Sequence, residues 1–448
     1  GYGTRLAYDA RGNLSGKIDA LDRKTEYRYD ALKRLTYVRL PSGASIRCAY
    51  DGEGNLVRYV DENGAETQLE YFGQGEIARK ILPDGHCLRY HYNTEEQLTA
   101  VTNQRGETYQ LKRDALGRIV EETDYWGQSR LYTLSPAGNI RAILDPCGRK
   151  IRYTTDPLGR ILSRALPDPF SDRNEVQETF DYDAAGNLIA MEGPHARIDR
   201  RYDLEGRLLE EKQGEHFTIR NRYDEVGNRI SRHTLLTFGT STTEHEVRYA
   251  YDDFDRASEI GIDGQAPIKL TRNAAGQIIS ERLTAGLHRE LEYSIDGQLS
   301  RRRVRAGLSD VLDTRYAYDL AGNLTERRDA QFGVDRFLYD PMGRVIQHID
   351  PMGTLRQYLN DPAGDLLHTH VRQKPAPSGA LNGADVDWSR EGALEGSFYR
   401  FDRSGNLVER RDGRGELSLS WDAAQRLVES RLGDVSTLYG YDCLGRRL

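Results

Sequence analysis

Tyr50-Asp51-Gly52-Glu53-Gly54-Asn55-Leu56 is the stretch on which the reading of this chain turns. Its pattern is Tyr-Asp-x-x-Gly-Asn-Leu, followed by a second glycine at Gly64 and the next tyrosine at Tyr71. Working outward, the tyrosine position falls at Tyr8, Tyr29, Tyr50, Tyr71 and Tyr92, then at Arg113, Leu134 and Thr155. The step is about 21 residues throughout. After longer gaps it resumes at Tyr182, Tyr202, Tyr223, Tyr251, Arg272, Tyr293, Tyr318, Tyr339, Asn360, Phe401, Trp421 and Tyr441. An aliphatic residue holds the same phase, at Leu14, Leu35, Leu56, Ile77, Leu98, Ile119 and onward to Leu407 and Leu427. A period of this kind marks a repeat architecture in which each unit contacts its neighbours.

Between signatures the side chains alternate with period two. In Lys24-Thr25-Glu26-Tyr27-Arg28-Tyr29, Thr25, Tyr27 and Tyr29 share one face and the charged residues share the other. That is the pattern of a strand with one apolar face, and Tyr, Val, Ile, Thr and Phe suit it. No window carries a sustained helical stripe, so the chain reads as all-β with essentially no helix. Within the signature, Asp suits the first position of a type I turn, where its carboxylate accepts a backbone N–H two residues on. Gly suits the positive φ at the turn's exit. A second turn follows at Gly43, Gly64, Gly85, Gly106, Gly127 and Gly148. Each unit is then two strands and two turns, a hairpin that hands its edge to the next unit. The residues expected to build it, in five representative units, are Tyr8, Asp9 and Gly12; Tyr50, Asp51 and Gly54; Tyr182, Asp183 and Gly186; Tyr318, Asp319 and Gly322; and Tyr441, Asp442 and Gly445. Replacing Gly54 by Val is expected to strain the turn.

Some twenty units imply roughly forty strands, or ~190 Å of sheet at ~4.8 Å per strand. A sheet so wide must twist, coil or close to protect its edges. Curled once, it makes a tube ~60 Å across, wider than side chains can fill. A hollow coiled shell or a narrow solenoid both satisfy this.

The 448 residues carry 38% hydrophobic and 30% charged side chains with a net charge of −7. Low hydropathy alone would permit disorder, but the 27 tyrosines in fixed phase oppose it. The mildly acidic balance lacks the basic stripe of a nucleic-acid binder. Cys48, Cys87, Cys147 and Cys443 form neither a disulfide framework nor a zinc pattern and read as buried or half-buried free thiols. No apolar run reaches the ~18 residues of a membrane span. The chain opens at Gly1 without Met and stops at Leu448 just after a signature, as a fragment of a longer polypeptide would. One repeat domain is expected over residues 1–448, with irregular loops near 165–178, 231–246 and 373–397 and a shorter departure at Arg305–Asp313.

At this period, Tyr-Asp-x-x-Gly-[Asn/Arg]-Leu resembles the YD repeat, and the chain resembles the core of bacterial Rhs proteins. The stretch from Trp388 through Leu394-Glu395-Gly396 and Tyr399 to Leu407, then Trp421-Asp422 and Tyr441 to Arg447, is similar to Rhs cores in particular. Toxin-complex C components and animal teneurins share the repeat. The resemblance implies a partial hollow β-shell that encloses a C-terminal toxin domain. It also implies delivery by type VI secretion with spike and PAAR-type tip proteins, an immunity protein or chaperone as partner, and a role in interbacterial competition. A secreted or cell-surface protein, folded in the cytoplasm before export, is expected. The N-terminal docking region, the toxin and the segment with two Asp-Pro-x-Gly self-cleavage boxes are not in this sequence.

Asp340-Pro341-Met342-Gly343 with Asp350-Pro351-Met352-Gly353, and Asp145-Pro146-Cys147-Gly148 with Asp156-Pro157-Leu158-Gly159, imitate those boxes. Paired carboxylates sharing a proton could cut a peptide bond. Pro is also the preferred second residue of a type I turn, and both tandems sit in ordinary repeat phase, so they read as turns. His368 and His370 lie two apart on one strand face without the further ligands of a metal site. In Arg301-Arg302-Arg303-Val304-Arg305 the charges divide between two faces, as a solvated or lumen-facing run. Asn13-Leu14-Ser15 and Asn323-Leu324-Thr325 match a glycosylation triplet but are also the ordinary turn exit. No catalytic constellation, cofactor or metal site is expected. The functional expectation is encapsulation, and the rival is a surface-adhesion or carbohydrate-binding solenoid with tyrosines as stacking platforms.

Overall fold

The computed structural model describes residues 3–171, 174–366, 370–373 and 388–448, except for the side chains of residues 284, 370–373 and 388–389. Among these residues the chain forms forty strands and one short 3₁₀ turn, Thr284–Gly286. Thirty-three strands, from Arg5–Tyr8 to Leu355–Gln357, make one antiparallel sheet that is not closed into a barrel. A second sheet of seven strands runs from His370–Gln373 to Val435–Leu438. Successive strands pair with one another, as the alternation of two short strands and two tight turns dictates. The all-β expectation and the long antiparallel sheet are borne out, with the last seven strands in a sheet of their own.

Register follows from the signature. Ser45–Tyr50 pairs with Leu56–Val60 so that Arg47 lies opposite Val60, Cys48 opposite Tyr59 and Tyr50 opposite Leu56, with a bulge between Ala49 and Tyr50. The extra residue, Val57, lies on the strand after the turn, and the bulge puts the signature's Tyr and Leu on facing positions. The same bulge and pairing recur at Tyr182 and Leu188, at Tyr318 and Leu324, and at Trp421 and Leu427. Gly54 closes its turn by donating its N–H to the Asp51 carbonyl at 3.3 Å, with φ +101°. A methyl group added there would meet open space apart from the Arg34 guanidinium 3.9 Å away. The cost of Gly54→Val therefore lies in the backbone. A loss of roughly 1–2 kcal/mol is expected, and thermal melts will show it.

Two segments expected as loops are instead extended hairpins. Residues 231–246 fall within the strands Arg229–Phe238 and Ser241–Tyr251, and the Arg305–Asp313 departure within Leu299–Ala306 and Ser309–Tyr318. The reason is side-chain chemistry: in the first hairpin the inserted Thr residues are β-branched and the Thr237 and Thr242 hydroxyls meet at 3.3 Å, and in the second Arg305 pairs with Asp310 at 3.1 Å across the strands. The insertion at 165–178 shortens to a loop between Ile161–Pro167 and Glu175–Tyr182. Of the expected 373–397 loop, residues 374–387 lie outside the described residues, and Trp388–Leu394 is a strand.

By internal contacts the chain divides into two compact units, each made of three stretches. The first is Gly1–Tyr90, Tyr223–Ser231 and His245–Gly364; the second is His91–Arg222, Arg232–Glu244 and Asp365–Leu448. The one-domain reading of the sequence does not anticipate this division, because each unit joins stretches far apart in the chain.

Candidate functional site: turn cassettes and the seams they make

Every expected turn residue has a defined task. Asp9 accepts the N–H groups of Arg11 and Asn13 on one oxygen, both at 2.9 Å, and the Asn13 side-chain amide on the other at 2.8 Å. Asp51 takes the N–H groups of Glu53, Gly54 and Asn55 at 3.0, 2.8 and 2.9 Å. Asp183 and Asp319 hold Asn187 and Asn323 in the same way. Asp442 holds the Leu444 and Arg446 amides at 2.9 Å each and the Arg446 Nε at 2.6 Å. Gly12, Gly186, Gly322 and Gly445 all sit at positive φ. Asn and Arg therefore alternate in one role, as a donor to the second carboxylate oxygen.

The tyrosines do more than line an apolar face. The Tyr50 hydroxyl donates to the Leu35 carbonyl at 2.9 Å, Tyr318 to Leu299 at 2.9 Å and Tyr441 to Leu427 at 2.7 Å. In each case the acceptor is the signature Leu of the preceding unit. Where another residue stands in the Tyr position, the donor persists: Trp421 Nε1 reaches Leu407 O at 2.8 Å, and Arg113 reaches Leu98 O at 3.2 Å. Tyr182 lies under the Arg160 guanidinium at 4.8 Å, and Tyr8, in the first strand, is exposed. Tyr50→Phe is expected to lose roughly 0.5–1.5 kcal/mol, the worth of one such bond, and urea melts check it.

Hydrogen bonds to the carboxylates pull Asp9, Asp30 and Asp252 below their ordinary pKa. The Asn13 side chain and amide do so for Asp9, the Arg34 amide for Asp30, and the Arg256 side chain brings Asp252 down to about 2. A folded pKa below the unfolded one gives stability that is present above about pH 4 and is lost as pH falls through the folded value. Melting temperature is expected to stay level above about pH 5 and to drop steeply between about pH 4 and 2. A melt unchanged at pH 2 would contradict the cassette.

In both units the chain comes back onto itself through these turns. In the first unit the Ser42 amide donates to Asp296 at 3.0 Å, the Asn63 side chain to Asp319 at 2.9 Å, and Arg344 to Asp84 at 3.2 Å. The partners lie 254 to 260 residues apart, or about twelve units of the repeat. In the second unit Arg105 pairs with Asp365 at 2.6 Å, Arg426 with Glu178 at 3.0 Å and Arg446 with Glu211 at 2.7 Å.

Among the described residues, two buried apolar clusters lie at this second seam. The tip of the 442–445 turn inserts Cys443 among Phe180, Met191 and Ile198, and the tip of the 422–425 turn sets Ala423 on Ile151 and Leu166. Burial pushes the Cys443 thiol up to about 11, so it packs and does not ionise. Glu178, 1% exposed, accepts Arg164 Nε and Arg426 together; Glu211, 3% exposed, accepts Arg200 and Arg446. Sequence reading passed over both glutamates because a Glu in an alternating strand looks solvated. Arg side chains at positions 164 and 200 in matching registers were the only available signal.

The remaining candidates resolve as follows. Asp340 binds the Met342 and Arg344 amides and the Arg344 side chain, and Asp350 binds the Met352 and Thr354 amides. Asp145 and Asp156 hold Arg149 and Arg160 likewise. Each carboxylate of the tandems is engaged within its own turn. Arg301 pairs with Asp313 and Glu292, while Arg303 and Arg305 share Glu290 and Asp310. His368 lies outside the described residues, and only the backbone of His370 is described. Among the described residues no helix is long and apolar enough to cross a membrane, and no cluster of His, Cys, Asp or Glu could hold a metal. Cys48 and Cys87 are half-buried and Cys443 is buried, but Cys147 is exposed, against expectation, because it sits at a turn tip.

The family model described as RHS Repeat matches residues 8–45 and 318–355. The toxin protein Tse5 of Pseudomonas aeruginosa is 28% identical over 308 residues, covering 60% of this chain and 23% of the relative. Among solved structures, the TcdB2-TccC3-Cdc42 crystal structure shares the fold over 99% of this chain and 27% of its own, at TM-score 0.71 and 15% identity. The Photorhabdus luminescens Tc holotoxin pore does so over 99% and 27%, at TM-score 0.69 and 16% identity. This chain thus spans about a quarter of the length of these proteins. The recurring signature, the RHS-repeat matches and the long antiparallel sheet together support a YD-repeat core of Rhs type.

Proposed function

We propose that this chain is part of the wall of a container that encloses a toxic domain carried on the same full-length polypeptide, and that it acts by sequestration and not by catalysis. The observation that carries the reading is the scarcity of core. Among the described residues thirteen apolar side chains are buried, while the strands present two largely half-exposed faces. A sheet one layer thick separates two spaces, and a domain built to bury a catalytic centre has a different distribution of burial. The relative named as a toxin protein supports a toxic cargo, and the TcdB2-TccC3 structure shares the fold. Delivery by type VI secretion with spike and PAAR-type partners, protection of the producer by an immunity protein or chaperone, and folding before export belong to this proposal.

The full-length protein tests it. The domain that follows the repeat core should resist protease while the core is intact and become susceptible once the core is opened by denaturant. A following domain that is digested from the start, with the core untouched, overturns the proposal. Binding of the intact core to glycans, abolished by changes on the tyrosine face, would favour adhesion instead.

A further inference from the structure

We propose that the seam of the first unit is a gate, able to part between its facing turn tips while the strands on either side stay folded. The bonds that close it are side-chain bonds at turn tips. The Ser42 amide on Asp296, Asn63 on Asp319 and the Ala321 amide on Asn63, at 3.0, 2.9 and 3.2 Å, are all exposed to solvent. Exposed bonds of this kind contribute little each, because water replaces them when they break.

Between these contacts lies a cavity of about 780 Å³, lined by the turns at 61–67, 80–83, 319–323 and 339–343. No knob fills it. Leu82, 6% exposed, borders this space and has no place in either buried apolar cluster. Parting this seam therefore separates few apolar groups and breaks one largely buried ion pair, Arg344 with Asp84 at 3.2 Å, after which Arg344 keeps Asp340 at 2.6 Å within its own turn.

The second unit's own seam is built in the opposite way. There Cys443 and Ala423 are seated in apolar clusters with Ile198 at 0% and Met191 at 1% exposure, and the carboxylates of Glu178 and Glu211 are buried where they meet Arg426 and Arg446. Opening it would expose the apolar surface, at about 25 cal/mol per Å², and leave buried charges unpaired. The repeat turns are alike in both units. The difference lies in what their tips meet.

Native-state amide exchange tests this with matched probes. The Leu82 amide donates to the His86 carbonyl at 2.8 Å, and the Asp442 amide donates to the Arg446 carbonyl at 3.0 Å. Both amides make the same turn bond, and both residues are buried. The Leu82 amide is expected to exchange at least tenfold faster than that of Asp442, while the adjoining strands Glu76–Ile81 and Ser309–Tyr318 stay protected. Asn63→Ala should speed exchange at Leu82 further and leave Asp442 unchanged. Equal rates at the two amides overturn the gate, as does loss of protection in the strands together with Leu82, which would be unfolding. That such a gate serves to pass a cargo rests on the container reading. The exchange result stands or falls without it.

Discussion

Glu178→Ala is expected to destabilise the second unit by roughly 3–5 kcal/mol. The Glu178 carboxylate is 1% exposed and holds Arg164 on one oxygen and Arg426 on the other. Removing it leaves two largely buried guanidinium groups, 22% and 15% exposed, without their shared carboxylate. Arg426 keeps Asp422 at 2.7 Å and Arg164 keeps the Cys443 carbonyl at 3.1 Å, so the loss is partial for each. All three tryptophans, Trp126, Trp388 and Trp421, belong to the second unit, so their fluorescence in a urea titration follows that unit selectively. The comparison variant is Glu192→Ala, whose carboxylate is 60% exposed in its pair with Arg197. It should move the transition by less than about 0.5 kcal/mol. Equal effects from the two variants would show that the seam is not held at Glu178.

Ile198→Ala should cost roughly 2–5 kcal/mol by the same readout. Ile198 is 0% exposed and packs with Phe180, Met191 and Cys443, three residues drawn from two strands and a turn tip about 245 residues away. Truncation removes buried methyl groups and leaves a hole the rigid sheet cannot fill by collapsing. Leu204→Ala is the control, since Leu204 is fully exposed at a turn tip and its loss should fall within about 0.5 kcal/mol. A large loss at Leu204 with none at Ile198 would mean that the core has been misplaced.

Much of the local structure was legible. Asp, Gly and the Asn or Arg beside them dictate their turns through bonds within five residues, so counting the signature was enough. The second turns at Asp61 and Asp124 follow from the same chemistry, with Asn63 and Trp126 amides on the carboxylates. The long hairpins at 229–251 and 299–318 were misread, because polar Thr and Ser at a strand end look like loop until their cross-strand partners are known. The tyrosines were read as apolar, since nothing in the sequence says that a phenol will find a carbonyl one unit back.

What the sequence alone determined is therefore the unit: two strands, two turns, a bulge, and the order in which units pair. These are set by contacts between residues a few positions apart or one period away, and such contacts repeat whenever the motif repeats. What only the tertiary structure decided is where unit meets unit across about 250 residues. Every turn tip has nearly the same sequence, and Asp319 differs from Asp442 only in its surroundings. One meets Asn63 in solvent, and the other holds Arg446 against a buried Glu211. A repeated motif encodes its own fold many times over, but its long-range partners depend on how far each unit turns from the last, and that small angle is summed over a dozen units before any two seams touch.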